Sequence, residues 1–213
     1  MKKIILSILT LLVFNAIASN NAKFVAAMEK NIKALNESKT VDQYLNAANA
    51  FERIAQTETK EWLPLYYQAY ANLMTGMQQT NNALKDEYYD KALAMLDKAD
   101  VIAKDNSEIY VLKSWLVSMK IGIDPQNRGM EMGMMSGMYL QKAMSFDAEN
   151  PRAYLMKAMN LMYTPEQYGG GKDKAIPVFE TAIEKYKTFK PSSSIMPVWG
   201  KETADKYYAE CKK

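Results

Sequence analysis

The chain is 213 residues long, 48% apolar and 24% charged, with 27 basic against 24 acidic residues and no histidine. That length and apolar content suffice for one folded domain or a short helical array. The near balance of charge, with no basic cluster, excludes the electrostatic footprint of a nucleic-acid binder, and the lack of histidine excludes His-based triads, zinc proteases and imidazole acid–base catalysis.

The N-terminus reads as a secretory signal peptide, residues 1–18. Lys2 and Lys3 precede the apolar run Ile4–Phe14, and Ala16 and Ala18 supply the small-residue cleavage site. The run is shorter than the ~20 residues a membrane span needs, so no span is expected after cleavage. No cysteine follows it for lipid attachment. Loss of Lys2 and Lys3 leaves 25 basic against 24 acidic residues. Residues 19–213 are expected to form a single domain that is secreted, to the periplasm. Cys211 is the only cysteine, so no internal disulfide is available and the fold must rest on packing.

Residues 22–37 place Phe24, Met28, Ile32 and Leu35 at helical spacing. A second helix is expected over 41–56, with Thr40 as N-cap and Gln43 completing a capping box. The next starts near Trp62, where Pro64 falls in the first turn and its missing N–H costs nothing. Helices follow over 86–103, 109–120, 130–146, 151–163 and 173–186, the last with Asp173 as its N-cap and Pro177 near its start. Asn106 and Asn150 are good N-caps for the helices behind them. Residues 190–200, containing proline and serine, read as a connector to a short last helix over 202–212. No stretch alternates with a period of two over a useful length, so the chain is predicted to be all-α.

The stretch 96–110 recurs in register as 140–154. Ala55, Ala99 and Ala143 stand 44 residues apart, as do Tyr66, Tyr110 and Tyr154. Self-similarity at such a period marks a solenoid, whose units bury their apolar faces against their neighbours. The second helices share a small, large, small pattern: Ala92, Leu96, Ala99; Ser136, Leu140, Ala143; Ala175, Phe179, Ala182. Over about residues 41–190 this resembles the tetratricopeptide repeat, lengthened by about ten residues over the family's ~34 within each hairpin. The departures are Tyr70, Ser114 and Ala158 in place of the first-helix glycine, Ala69, Lys113 and Lys157 in place of the usual leucine, and Glu52 where the first unit should carry a large apolar residue. The resemblance implies a right-handed superhelical array of antiparallel helix hairpins with a C-terminal capping helix, its first helices lining a concave groove.

Aligning the first helices by their tyrosines puts Tyr67, Ala71 and Met74, then Val111, Trp115 and Met119, then Leu155, Met159 and Tyr163 on one stripe. Tyr67, Trp115, Met119, Met159 and Tyr163 are therefore candidates for a groove lining, since such side chains are enriched at adaptable interfaces. Arg152 is placed at the groove edge, either facing an acidic group or solvated. Ten of the sixteen methionines lie between Met119 and Met162. Met130, Met134 and Met138 recur every four residues, which reads first as core or groove filling and second as a soft-metal site for Cu(I).

The glycines before Lys172 lack the Ser or Thr and the preceding strand of a phosphate-binding loop, and Ser136 is one residue out of register for a nucleophile elbow. The expectation is a non-catalytic binding or scaffold protein, without cofactor, whose groove takes a peptide, a protein segment or a small apolar ligand. A methionine-based copper protein and a structural subunit of an envelope complex are the alternatives.

Overall fold

The computed structural model of the protein describes residues 21–213; the expected signal peptide lies outside them. The described residues are mostly helical, in antiparallel hairpins that form a solenoid of the tetratricopeptide-repeat kind. The helices are α1 (21–37), α2 (Val41–Thr57), α3 (Leu63–Gln78), α4 (Asn82–Ile102), α5 (Ser107–Ile121), α6 (Pro125–Phe146), α7 (Pro151–Tyr163), α8 (Lys172–Thr188) and α9 (Lys201–Cys211).

The helix starts follow side-chain chemistry. Thr40 and Gln43 form the capping box that opens α2, and Asn81, Asn106 and Asn150 accept from backbone N–H groups at the starts of α4, α5 and α7. Pro64 and Pro151 lie in first turns, as expected. Two details differ. Gly171, not Asp173, precedes α8, because its φ of 106° suits glycine, and Asp173 sits within the first turn. Pro177 lies inside α8 rather than near its start.

The repeat register is the packing register. Ala92, Leu96 and Ala99, then Ser136, Leu140 and Ala143, then Ala175, Phe179 and Ala182 are all buried. The small residues let α4, α6 and α8 approach their partners α3, α5 and α7, and α4 and α6 also pack on the first helix of the following hairpin. The first helices α3, α5 and α7 pack side by side, and α9 closes the array on α8 and α7. At Gly76 an added Cβ would collide with the Tyr89 ring, so the α3–α4 crossing depends on that glycine.

Polar residues on the first helices are satisfied across joints. Lys113 is buried, against its reading as a simple departure from leucine, because Asp97 and Asp100 of α4 each hold its Nζ at 2.9 Å. Asp86 binds Arg128 and Lys120 at the other end of the hairpins. Between α5, α6 and α7, the hydroxyls of Ser114 and Ser136 share a hydrogen bond at 2.7 Å, Ser118 donates to Asn160 Oδ1 at 2.9 Å, and Asn160 Nδ2 donates to Ser136 at 2.7 Å. A buried polar cluster with its members paired fixes one arrangement of three helices.

Candidate functional site

The first-helix surface is built by α3, α5 and α7, and part of it is already covered. Residues 189–200 fold back across these helices instead of bridging loosely to α9. Tyr67 Oη donates to the Ile195 carbonyl at 2.9 Å, Trp199 Nε1 donates to Tyr66 Oη at 2.9 Å, and Tyr186 Oη donates to the Trp199 carbonyl at 3.1 Å. Ile195 and Pro197 are buried. The reason is in the segment's composition: Ile195, Met196, Pro197 and Trp199 follow closely in a stretch that forms no helix, and covering them with the first helices removes apolar surface from water.

Trp199 completes an aromatic cluster. Its ring centroid lies 5.0 Å from Trp115 of α5 and 5.9 Å from Tyr70 of α3, and Tyr70 and Trp115 are 6.1 Å apart in an edge-on arrangement. Such separations are those of favourable aromatic pairs. Burial pushes the Tyr70 hydroxyl up to about 12, so it stays a neutral donor. Beyond this cluster the stripe continues uncovered: Met74, Met119 and Met159 are half-buried, and Tyr163 is 64% exposed with its ring 6.2 Å from Tyr207 of α9. Only part of the expected stripe lies at this surface, since Ala71, Val111 and Leu155 are fully buried. Trp115, Met119, Met159 and Tyr163 face it, whereas Tyr67 is buried beneath Ile195.

Arg152 is corrected from the groove edge to the interior. It is 1% exposed, and its Nε and Nη2 donate to Glu108 at 2.8 and 2.6 Å. Asn150 Nδ2 donates to the same carboxylate at 2.8 Å. Burial works against the charge on Arg152, and the Glu108 carboxylate more than offsets it, so the guanidinium is held protonated. Its carbon lies 4.4 Å from the Phe189 ring centroid and 5.9 Å from that of Trp199, which seals it under the 189–200 segment.

The methionines of α6 are corrected as well. Met130, Met134 and Met138 are 79%, 63% and 60% exposed, so they fill neither the core nor the first-helix groove. Met134 and Met138, with Glu131, Met135, Tyr139 and Lys142, border a shallow, open depression on α6. Gly129, Gly133 and Gly137 accompany them with no atom near an added Cβ. The four-residue period thus marks a solvent-facing ridge, whereas the inward face of α6 is carried by Ser136, Leu140 and Ala143. Among the described residues, no group of three or more His, Cys, Asp or Glu side chains is placed to hold a metal ion. Cys211 is a buried free thiol, pushed up by burial.

Sequence reasoning missed Tyr70, Glu108, Phe189, Ile195 and Trp199. Glu108 was within reach, since it stands 44 residues before Arg152 at the same place in its repeat. The apolar content of a supposed connector was the signal for Ile195 and Trp199.

Comparison with solved structures adds two likenesses. The chain is 34% identical to the HusA haemophore from Porphyromonas gingivalis, over 89% of this chain and 92% of that one, with a TM-score of 0.80. It is 12% identical to a thermophilic tetratricopeptide-repeat protein from Thermus thermophilus, over 92% and 94% of the two chains with a TM-score of 0.57, a likeness of fold alone. No protein-family model and no curated protein matches the chain.

Proposed function

Because the chain belongs to the family of the HusA haemophore, we propose that it is an exported, non-catalytic carrier that binds a porphyrin on its first-helix surface. Export rests on the signal peptide read over residues 1–18, and the carrier proper is residues 19–213. No helix among the described residues is long and apolar enough to cross a membrane.

The observation that carries this reading is the partly open aromatic and thioether surface of Tyr70, Trp115, Met119, Met159 and Tyr163. A porphyrin is a flat apolar ring, and such a surface supplies stacking and soft contact over its face. The sequence contains no histidine, so the usual imidazole bond to haem iron is not available. Met119, Met159 and Tyr163 carry the side-chain types that can serve iron instead, and the ring contacts require no iron at all. The coarser role, a binding or scaffold surface on a helical-hairpin array, is common to the fold of both solved structures.

Titration of residues 19–213 with haemin and with metal-free protoporphyrin IX, followed by absorbance and tryptophan fluorescence, tests the reading. Saturable binding of both, weakened about ten-fold or more in Trp115→Ala, is expected. Absence of binding by either porphyrin overturns it.

A further inference from the structure

The 189–200 segment meets the first helices much as a ligand would. Trp199 packs its ring at a tilt against Trp115 and Tyr70, and the carbonyl oxygens of Ile195 and Trp199 accept from the hydroxyls of Tyr67 and Tyr186. This surface thus holds a flat ring together with oxygen acceptors from the neighbouring backbone. One feature of the surface is left unmatched: Arg152 Nη1 is buried with no hydrogen-bond partner. A buried donor without a partner is destabilising, and the faces of Phe189 and Trp199 above it are weak acceptors that return part of the loss.

We propose that residues 189–200 form a displaceable strap over an acid-group subsite, in which Arg152 Nη1 and the Tyr186 hydroxyl receive a carboxylate of a planar aromatic ligand whose ring takes the place of Trp199. The inference rests on the porphyrin reading and deepens it, adding the subsite for a propionate and an intramolecular competitor for the ring.

Charge decides where the acid group goes. Burial pushes the hydroxyls of Tyr66, Tyr67 and Tyr186 upward, but the next influence differs: Glu108 raises Tyr66 and Tyr67 more than Arg152 lowers them, whereas at Tyr186 Arg152 outweighs Glu108. The charge pair therefore adds to the opposition an anion meets beside Tyr66 and Tyr67 and offsets part of it beside Tyr186. Arg152 can serve two carboxylates because Glu108 takes only Nε and Nη2, which leaves the far end of the guanidinium free for a charge-assisted bond.

The strap is built to be exchanged. It contains no helix, its residues Lys190–Ser194 are exposed, and three side-chain hydrogen bonds fasten it to the helices beneath. Its apolar pegs are Ile195 and Pro197, whose burial sets the cost of opening. It joins α9 at Gly200, where φ is 108° and a side chain would collide with Tyr186 Oη. A ligand that supplies both the ring and a negative charge satisfies Arg152 as the strap does not.

The test compares protoporphyrin IX with its dimethyl ester on residues 19–213, by tryptophan fluorescence titration and by amide hydrogen exchange over 189–200. The free acid is expected to bind about ten-fold tighter than the ester and to speed exchange in the strap. Trp199→Ala, which removes the competing ring and keeps Arg152 and Tyr186, is expected to bind the acid several-fold tighter than the parent. Tyr186→Phe is expected to narrow the difference between acid and ester. Equal binding of acid and ester, or strap amides slowed by the ligand, overturns the subsite and leaves the porphyrin reading standing. Failure of both porphyrins to bind overturns the two together. The exchange measurement needs no variant, so a poorly folded Trp199→Ala does not shelter the proposal.

Discussion

Arg152 of α7 and Glu108 of α5 occupy the same position in successive repeats and form a buried bidentate ion pair, with Nε to Oε2 at 2.8 Å and Nη2 to Oε1 at 2.6 Å. The pair also receives Asn150, so the cap of α7, the joint between α5 and α7 and the underside of the 189–200 strap depend on one carboxylate. Removing one partner strands the other charge in the interior. Arg152→Met is expected to cost about 3–5 kcal/mol, read from urea unfolding. Glu108→Leu combined with Arg152→Met should cost clearly less than the two single changes added together, because no lone charge remains. Additive losses would mean that the two residues are not coupled.

The small residues of the second helices provide a separate check on the repeat register. Ala99 and Ala143 are completely buried at helix crossings, so Ala99→Leu and Ala143→Leu are each expected to lose about 1–3 kcal/mol through overpacking. Thermal melts indistinguishable from the parent would contradict the packing described for α4 and α6.

The exposed methionine ridge gives the opposite expectation. Replacing Met130, Met134 and Met138 together with leucine should change stability by less than about 0.5 kcal/mol per site, as for surface positions generally. The same triple variant decides the soft-metal alternative, which exposure leaves without a packing explanation to compete with. A Cu(I) titration that shows tight binding in the parent and none in the variant would establish a thioether site on α6.

A pH dependence follows from Asp86. Hydrogen bonding to Arg128, and then to Lys120, holds its carboxyl below the usual carboxylate range despite a smaller opposing effect of burial. A folded value below the unfolded one, ~3.9, means that the contribution is complete above the unfolded value and is lost as pH falls through the folded one. Asp86→Asn should therefore melt below the parent at about pH 7, and the difference should shrink as pH falls below the usual carboxylate range. A difference that persists in acid would assign the effect to hydrogen-bond shape and not to charge.

Much of this molecule could be read from residue types at fixed spacing. Thr40, Asn106 and Asn150 cap where their chemistry allows, Pro64 and Pro151 sit where an N–H is dispensable, and the alanines of the 44-residue repeat seat the crossings. Each of these depends on neighbours within a turn or on one repeated contact, and so leaves a periodic trace. The same periodicity misplaced Met130, Met134 and Met138. A four-residue spacing says that three side chains share a helical face and not which face meets the core; here Ser136, Leu140 and Ala143 won the interior because α5 and α7 require small residues and a hydroxyl partner there.

What the sequence by itself determined is the array: helices, caps and hairpin register, with an aromatic and thioether stripe along α3, α5 and α7 as an expectation. Only the tertiary structure decided what that stripe became. Tyr66 and Trp199 meet across residues 67–198, as Tyr67 and Ile195 do beside them, and nothing local to any of the four records the encounter, because a non-repeating segment finds its place through apolar burial and hydrogen bonds to distant side chains. The same is true of Arg152, solvated or buried with equal ease in a helix first turn. Its burial, and the unmatched Nη1 that burial leaves, arise because Glu108 stands one repeat away and residues 189–200 close over both.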